Sequence, residues 1–172
     1  MTLLRELERG DVPAINRWRQ DRQITAGLGA PHRHIGIEVD EQWFEQYLQR
    51  RGTDVRCAIC AGGEREPIGV VSLTGIDPVH KRAELHIMLG DRAAHGHGIG
   101  TEATRAMLGH GFRDLNLHRI YLFVLDSNAA AQRMYEKAGF RHEGTMRDAA
   151  FKNGRYEDVH VMGLLASEFA SR

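Results

Sequence analysis

The sequence predicts an α+β fold, a mixed sheet flanked by helices, and three observations carry that reading. Short alternating apolar runs recur along the chain, separated by stretches of helical period. Three strand-like runs follow one another in the middle, joined by short turns, as antiparallel neighbours are. The second half then alternates helix with strand and closes on a hairpin, which makes the sheet mixed. At 172 residues the chain is long enough for one domain with a sizeable core and short for two. No repeat, linker or low-complexity segment divides it, so residues 1–172 are read as one domain.

The elements are justified in order. "TLLREL" is a short first strand. Asp11 is expected to cap a helix, "DVPAINRWRQD", that carries Pro13 in its first turn. Residues 22–38 have no period and hold glycines and a proline, so they read as a loop of functional length. Asp40 is expected to open a second helix, "DEQWFEQYLQRR", whose Trp43, Phe44, Tyr47 and Leu48 share a face. The three strands "DVRCAICA", "PIGVVSLTGI" and "RAELHIMLG" come next. After a glycine-rich stretch follow a helix from about Thr101, the strand "RIYLFVL", and a helix from Ser127 to Lys137 ended by Gly139. The last two strands are joined by Asn153-Gly154, a favoured two-residue turn.

Composition excludes several classes of partner. Hydrophobic residues make up 42% and charged residues 27%, ordinary for a soluble protein. Lys+Arg and Asp+Glu are both 23, so no bulk charge draws nucleic acid or an anionic membrane. The apolar runs are too short to span a bilayer, and "MTLLRELERGD" lacks a signal-peptide core, so a cytoplasmic location is expected. Cys57 and Cys60 spell C-x-x-C, but in an alternating strand they point to opposite faces and read as small apolar residues.

One stretch is unusual: "AAHGHGIGTEAT", residues 93–104. Metal binding by His95 and His97 lacks partners at ligand spacing, so no metal is expected. The glycines instead lie between a strand and a helix. Glycine permits positive φ and close approach, so successive N–H groups can converge on an oxyanion at the helix N-terminus. A flexible turn that merely starts the helix is the alternative. The P-loop and dinucleotide patterns are both absent.

The stretch has company. "HGHGIGTEAT" resembles the pyrophosphate segment [QR]-x-x-G-x-[GA] of the GNAT superfamily of N-acetyltransferases, with His95 standing where Gln or Arg is usual. "NAAAQRMYEKAGF" resembles that superfamily's second signature, and "EGTMRDAAFKNGRYEDVHVM" is similar to the branch of ribosomal-protein N-terminal, spermidine and amino-sugar acetyltransferases. The resemblance is strong over about residues 67–165. It implies a mainly antiparallel seven-stranded sheet with about four helices, splayed between strands 4 and 5. It also implies acetyl-CoA as co-substrate and a primary amine as acceptor.

Residue roles follow from the same resemblance. His95, Gly96, His97, Gly98, Ile99, Gly100 and Thr101 would hold the pyrophosphate, while Met88 and Leu89 would present backbone to the pantetheine arm. Tyr135 would be the acid that protonates the departing thiolate, or else an apolar-face tyrosine. Asn128 would cap its helix, contact the cofactor, or both. Glu84, His86 and Met88 share one strand face, so Glu84 is the candidate base against a structural ion pair, with His86 behind it. Arg22, His32, His34, Glu38, Trp43, Arg147 and Tyr156 are candidates for the acceptor pocket.

The acceptor expected is a protein N-terminus or an amino sugar or other small amine. A polyamine, which wants a strongly acidic pocket, is the alternative within the class. A non-catalytic acyl-CoA-binding module is the rival outside it. Dimerisation is common in the branch, so a homodimer is open to this chain, with no seam in the sequence to mark it.

Overall fold

The computed structural model describes residues 2–62 and 65–170. Its strands are β1 (Thr2–Glu6), β2 (Val55–Ala61), β3 (Pro67–Asp77), β4 (Arg82–Leu89), β5 (Arg119–Leu125), β6 (Arg141–Lys152) and β7 (Arg155–Leu165). They form one seven-stranded sheet in the order β1-β2-β3-β4-β5-β7-β6. Every neighbouring pair is antiparallel except β4 and β5. A parallel pair needs a crossover, and the helix α4 (Ile99–Gly109) supplies it. The expected fold class is therefore found, with the mixed character concentrated at one junction.

Helices cover the sheet from both sides. On one face α4 and α5 (Ala129–Ala138) bury Ala103, Met107, Leu108, Tyr135 and Ala138 against Leu85, Ile120, Leu122 and Met162. On the other, α1 (Val12–Gln20) and α3 (Ile37–Gln49) bury Val12, Ile15, Trp18, Phe44 and Tyr47 against Ala58, Cys60 and Val70. Each fully buried aliphatic side chain contributes about 1.5–3 kcal/mol. The alternation of β2 sends Cys57 to the first core and Cys60 to the second, and both are free thiols. Burial pushes the Cys57 thiol up to about 11, with Glu6 adding to it, so it is protonated and inert at neutral pH. No helix among the described residues is long and apolar enough to cross a membrane.

Three local expectations are corrected. Asp11 precedes α1 but does not cap it, because a 3₁₀ turn (Arg9–Asp11) comes first and redirects its carboxylate. That carboxylate accepts the Glu8 N–H at 2.8 Å and pairs with both Arg5 Nη atoms, at 2.7 and 2.8 Å. Asp40 does not open a helix either. It lies inside α3, fully buried, accepting from Asn16 Nδ2 at 2.7 Å and ion-paired with Arg19. A buried carboxylate needs such partners, and removing one typically costs about 3–5 kcal/mol. The 22–38 segment is only partly loop. Arg22–Thr25 form a helical turn, α2, which Asp21 caps at the Gln23 N–H, and α3 begins at Ile37.

The end of the chain behaves as expected. Asn153 and Gly154 adopt φ of 51° and 81°, the paired positive values of a tight hairpin. Gly139 ends α5 at φ 117°.

Gly90, which terminates β4, is required for space. A Cβ built there would lie 1.9 Å from Trp18 Cδ2, inside the indole. Trp18 belongs to the second core and cannot swing away freely. Gly90→Ala is therefore expected to lower stability by about 1–3 kcal/mol through overpacking. Urea unfolding followed by tryptophan fluorescence reads both the loss and the displaced ring. Gly29→Ala, with nothing within 4 Å of its Cβ position, should leave the midpoint in place.

Candidate active site

The site begins with a gap. β4 and β5 pair at only three positions, Arg82↔Arg119, Ala83↔Ile120 and Glu84↔Tyr121. Beyond them each strand is held from its outer side, β4 by β3 as far as Leu89 and β5 by β7 as far as Leu125. A V-shaped notch opens between the two.

The hydrogen-bond phase of β4 decides which backbone groups face it. The Gly90 N–H donates to Ile68 O at 2.9 Å, which makes this an exchanging pair of the β3–β4 ladder. Such pairs recur every second residue, so Met88, His86 and Glu84 turn their N–H and C=O toward β3. Leu85, Ile87 and Leu89 turn theirs toward β5, where Leu85 closes the ladder at Tyr121 and Ile87 and Leu89 face the open notch. The other end agrees, since Lys81 O accepts from His118 and Arg119 across the β4–β5 junction. The expectation for Met88 is corrected accordingly. Its backbone is committed to Val70, its side chain packs on the α1–α3 core, and Ile87 takes its place beside Leu89.

The glycine stretch starts where the notch ends. Gly96 and Gly98 both adopt φ of 80°, and nothing lies near either Cβ position, so they serve conformation and not space. Gly98 is the residue before α4, and no side chain caps the helix. The amides of Ile99, Gly100 and Thr101 thus begin an uncapped helix of 11 residues, with its partial positive charge. Glu102, in the same first turn, has its carboxylate drawn to Thr2. A cavity of about 490 Å³ adjoins, lined by Gly98, Thr101, Glu102, Arg105 and Lys137. Positive-φ glycines, free amides and two cationic side chains fit a pyrophosphate with its attached nucleotide.

The histidines part ways here. His95 Nε2 donates to Leu89 O at 3.1 Å, tying the loop to the notch-facing end of β4. His97 is exposed. No group of three or more His, Cys, Asp or Glu that could hold a metal occurs among the described residues.

Tyr135 lies on α5, 6% exposed, against Phe140. Burial raises its pKa well above the ordinary value. Its hydroxyl makes no hydrogen bond among the described residues, although buried tyrosines usually find one. Asn128 caps α5 through Oδ1 to Ala131 N at 3.1 Å, and its Nδ2 donates to Gly27 O at 3.1 Å. The α2 loop is thereby latched to the end of β5, next to the notch.

Glu84 and His86 share the face opposite Tyr135, with Glu84 Oε1 3.4 Å from His86 Nε2. Thr74 Oγ1 lies 3.0 Å from the same nitrogen. Desolvation holds the imidazole below its ordinary pKa and Arg56 adds to this, while Glu84 and Asp54 oppose it. It is therefore neutral at pH 7 and able to accept a proton.

The acceptor candidates do not all converge. Arg22, His32 and His34 line one cavity with Gln20, Ile35 and Gly36. Trp43 instead lies between the Arg19 and Arg56 guanidinium groups, and Tyr156 pairs with Phe151 on the exposed hairpin tip. Arg147 is exposed on β6 and does not line that cavity. The sequence reading missed Lys152. This lysine is 6% exposed, and its ammonium donates to Thr25 O at 3.1 Å and Ala30 O at 2.8 Å. A lysine beside an Asn-Gly turn reads as solvated, and no local signal reports carbonyls more than a hundred residues away.

Comparison with known proteins agrees with this geometry. Residues 2–141 match the model of the acetyltransferase (GNAT) domain. The spermidine N(1)-acetyltransferase of Vibrio cholerae is 31% identical over 169 residues, spanning 98% of this chain and 95% of the relative. That of Escherichia coli K12 is 35% identical over 166 residues, spanning 96% and 87%. The crystal structure of the V. cholerae spermidine N-acetyltransferase in complex with CoA and spermine superposes with a TM-score of 0.91 at 30% identity, covering 98% of each chain. The chain belongs to the GNAT acetyltransferase family, and it is an N-acetyltransferase that takes its acetyl group from acetyl-CoA.

Proposed function

We propose that this enzyme acetylates a primary amine, with a polyamine of the spermidine type as acceptor, ahead of the protein N-terminus or amino sugar that the sequence suggested. The names of the relatives similar over nearly the whole chain support the polyamine. The single observation that carries the transfer chemistry is the notch-facing backbone of Ile87 and Leu89, beyond the end of the β4–β5 ladder.

Acetyl-CoA supplies an activated thioester when bound, and the chain supplies the rest. The open β4 edge offers donors and acceptors to the amide-bearing pantetheine arm. One of its amides is placed to stabilise the oxyanion, a contribution typically of about 3 kcal/mol. His95 keeps the Leu89 carbonyl engaged and so steadies that edge. Tyr135 keeps its proton at neutral pH, and its unpartnered hydroxyl is free to hand it to the leaving sulfur. A thiolate formed in the same dry environment is itself made more basic, which offsets the raised tyrosine pKa. Glu84 takes the ammonium proton before attack, and the neutral His86 beside it serves as its relay.

Three outcomes are expected. Tyr135→Phe should lower kcat about a hundredfold, the low end for a general acid, with little change in coenzyme A affinity. Free-thiol release and calorimetry measure the two, and an unchanged kcat with every accepted amine removes Tyr135 from the mechanism. Glu84→Gln should lose most rate near about pH 6, where the amine is most fully protonated, and least toward about pH 9. A pH–rate profile parallel to that of the parent would assign Glu84 to structure alone. In an acceptor panel, spermidine should give a higher kcat/KM than glucosamine or a peptide with a free N-terminus. The reverse order returns the acceptor to the sugar or peptide class.

A further inference from the structure

The turn between α1 and α3 borders a solvent-open cavity of about 430 Å³, lined by Gln20, Arg22, His32, His34, Ile35 and Gly36. Its charge is one-sided. Arg22, Arg33, His32 and His34 enter no ion pair among the described residues. Lys152 packs in from β6, held by two carbonyl oxygens, with the Glu157 carboxylate close enough to favour its charge. The acids nearby in sequence are already engaged, Asp40 by Asn16 and Arg19 and Asp21 by the Gln23 amide. Glu38 and Glu41 enter no ion pair among the described residues, and the Glu38 carboxylate is folded against Gly36 at the rim.

The crowding registers on His32. Its Nδ1 lies 3.2 Å from Thr25 Oγ1, and its ring stands edge-on to His34 at 5.5 Å. Desolvation, then Arg22, His34 and Lys152, hold the imidazole below its ordinary pKa. The cavity also meets the start of α3, a 13-residue helix with no side-chain cap. A wall whose titratable lining groups are Arg22, His32 and His34 attracts an anion, and a planar guanidinium suits a carboxylate or phosphoryl group. The Asn128–Gly27 bond latches the same turn to the end of β5, so the cavity lies on the loop that flanks the notch.

We propose that this pocket binds an anionic group, carboxylate or phosphoryl, through Arg22 and the His32–His34 pair. The group comes either from the acceptor molecule, as a second handle beside its amine, or from a free anion that orders the loop around the acceptor. Only the first source rests on the acetyl-transfer reading. A free anion leaves the polyamine acceptor proposed above in place, whereas an anionic handle on the acceptor would replace that polyamine with an amine bearing a carboxylate or phosphoryl group.

Calorimetry of the full chain with inorganic phosphate, in saturating coenzyme A to fill the α4 cradle, tests the pocket. With sulfate in place of phosphate, whose charge is constant over this range, affinity should rise several-fold as the pH falls through the titration of His32, which lies below the ordinary imidazole value. Arg22→Gln should weaken it about tenfold and Glu38→Gln should strengthen it, opposite signs that a general loss of fold cannot produce. The His32 ring resonance should titrate at higher pH with phosphate bound. No heat, or binding indifferent to Arg22→Gln, overturns the proposal.

Thiol release with ethanolamine and phosphoethanolamine then separates the sources. If Arg22→Gln lowers kcat/KM for phosphoethanolamine alone, the acceptor carries the anion. If free phosphate lowers KM for ethanolamine and Arg22→Gln abolishes that effect, the anion is free. Arg22-dependent phosphate binding without turnover of any amine would keep the pocket and refute the acetyl-transfer reading. Turnover with silent calorimetry would do the opposite.

Discussion

The two central strands, β4 and β5, start in register and then part, each bound more extensively to its outer neighbour. β4 follows β3 to its last residue and β5 follows β7 to its own, so their shared ladder ends after Glu84↔Tyr121. Inside a sheet, backbone donors and acceptors left open cost about 1–3 kcal/mol each unless water or a ligand satisfies them. The divergence therefore creates a line of polar groups in the middle of an otherwise apolar layer, shaped for an extended molecule bearing its own amides. Side-chain identity hardly matters along that line, which is why Ile and Leu suffice.

The notch must also keep its shape, and contacts at its rim serve that end. Trp18 lies against Gly90 where β4 stops, closing off the α1 side with a ring that tolerates no Cβ beneath it. His95 binds the final β4 carbonyl from the glycine loop. Asn128 joins the start of α5 to the α2 turn. Two of these contacts cross between faces or between loops, so the rigid sheet is carried into segments that would otherwise move.

The faces of the sheet divide the chemistry. On the α4–α5 side the glycine loop, the uncapped helix and the buried Tyr135 gather around the end of the notch. On the α1–α3 side lie Glu84, His86 and the turn with Arg22, His32 and His34. A transfer reaction needs its donor and acceptor to approach from different directions, and a gap in the sheet allows that without opening the core.

The sequence alone determined what depends on short-range chemistry. Glycines at positive φ before a helix, the Asn153-Gly154 hairpin, the Gly139 helix end, the split of Cys57 and Cys60, and the α+β order were all legible there. Each is governed by neighbours a few residues apart. Only the tertiary structure decided the rest: that Asp11 and Asp40 satisfy distant partners and cap no helix, that Leu89 faces the notch while Met88 faces β3, and that Lys152 clamps the α2 turn. Ladder phase and the pairing of buried charges depend on which strand or loop lies alongside. That information resides in contacts between residues far apart along the chain, where no local pattern can register it.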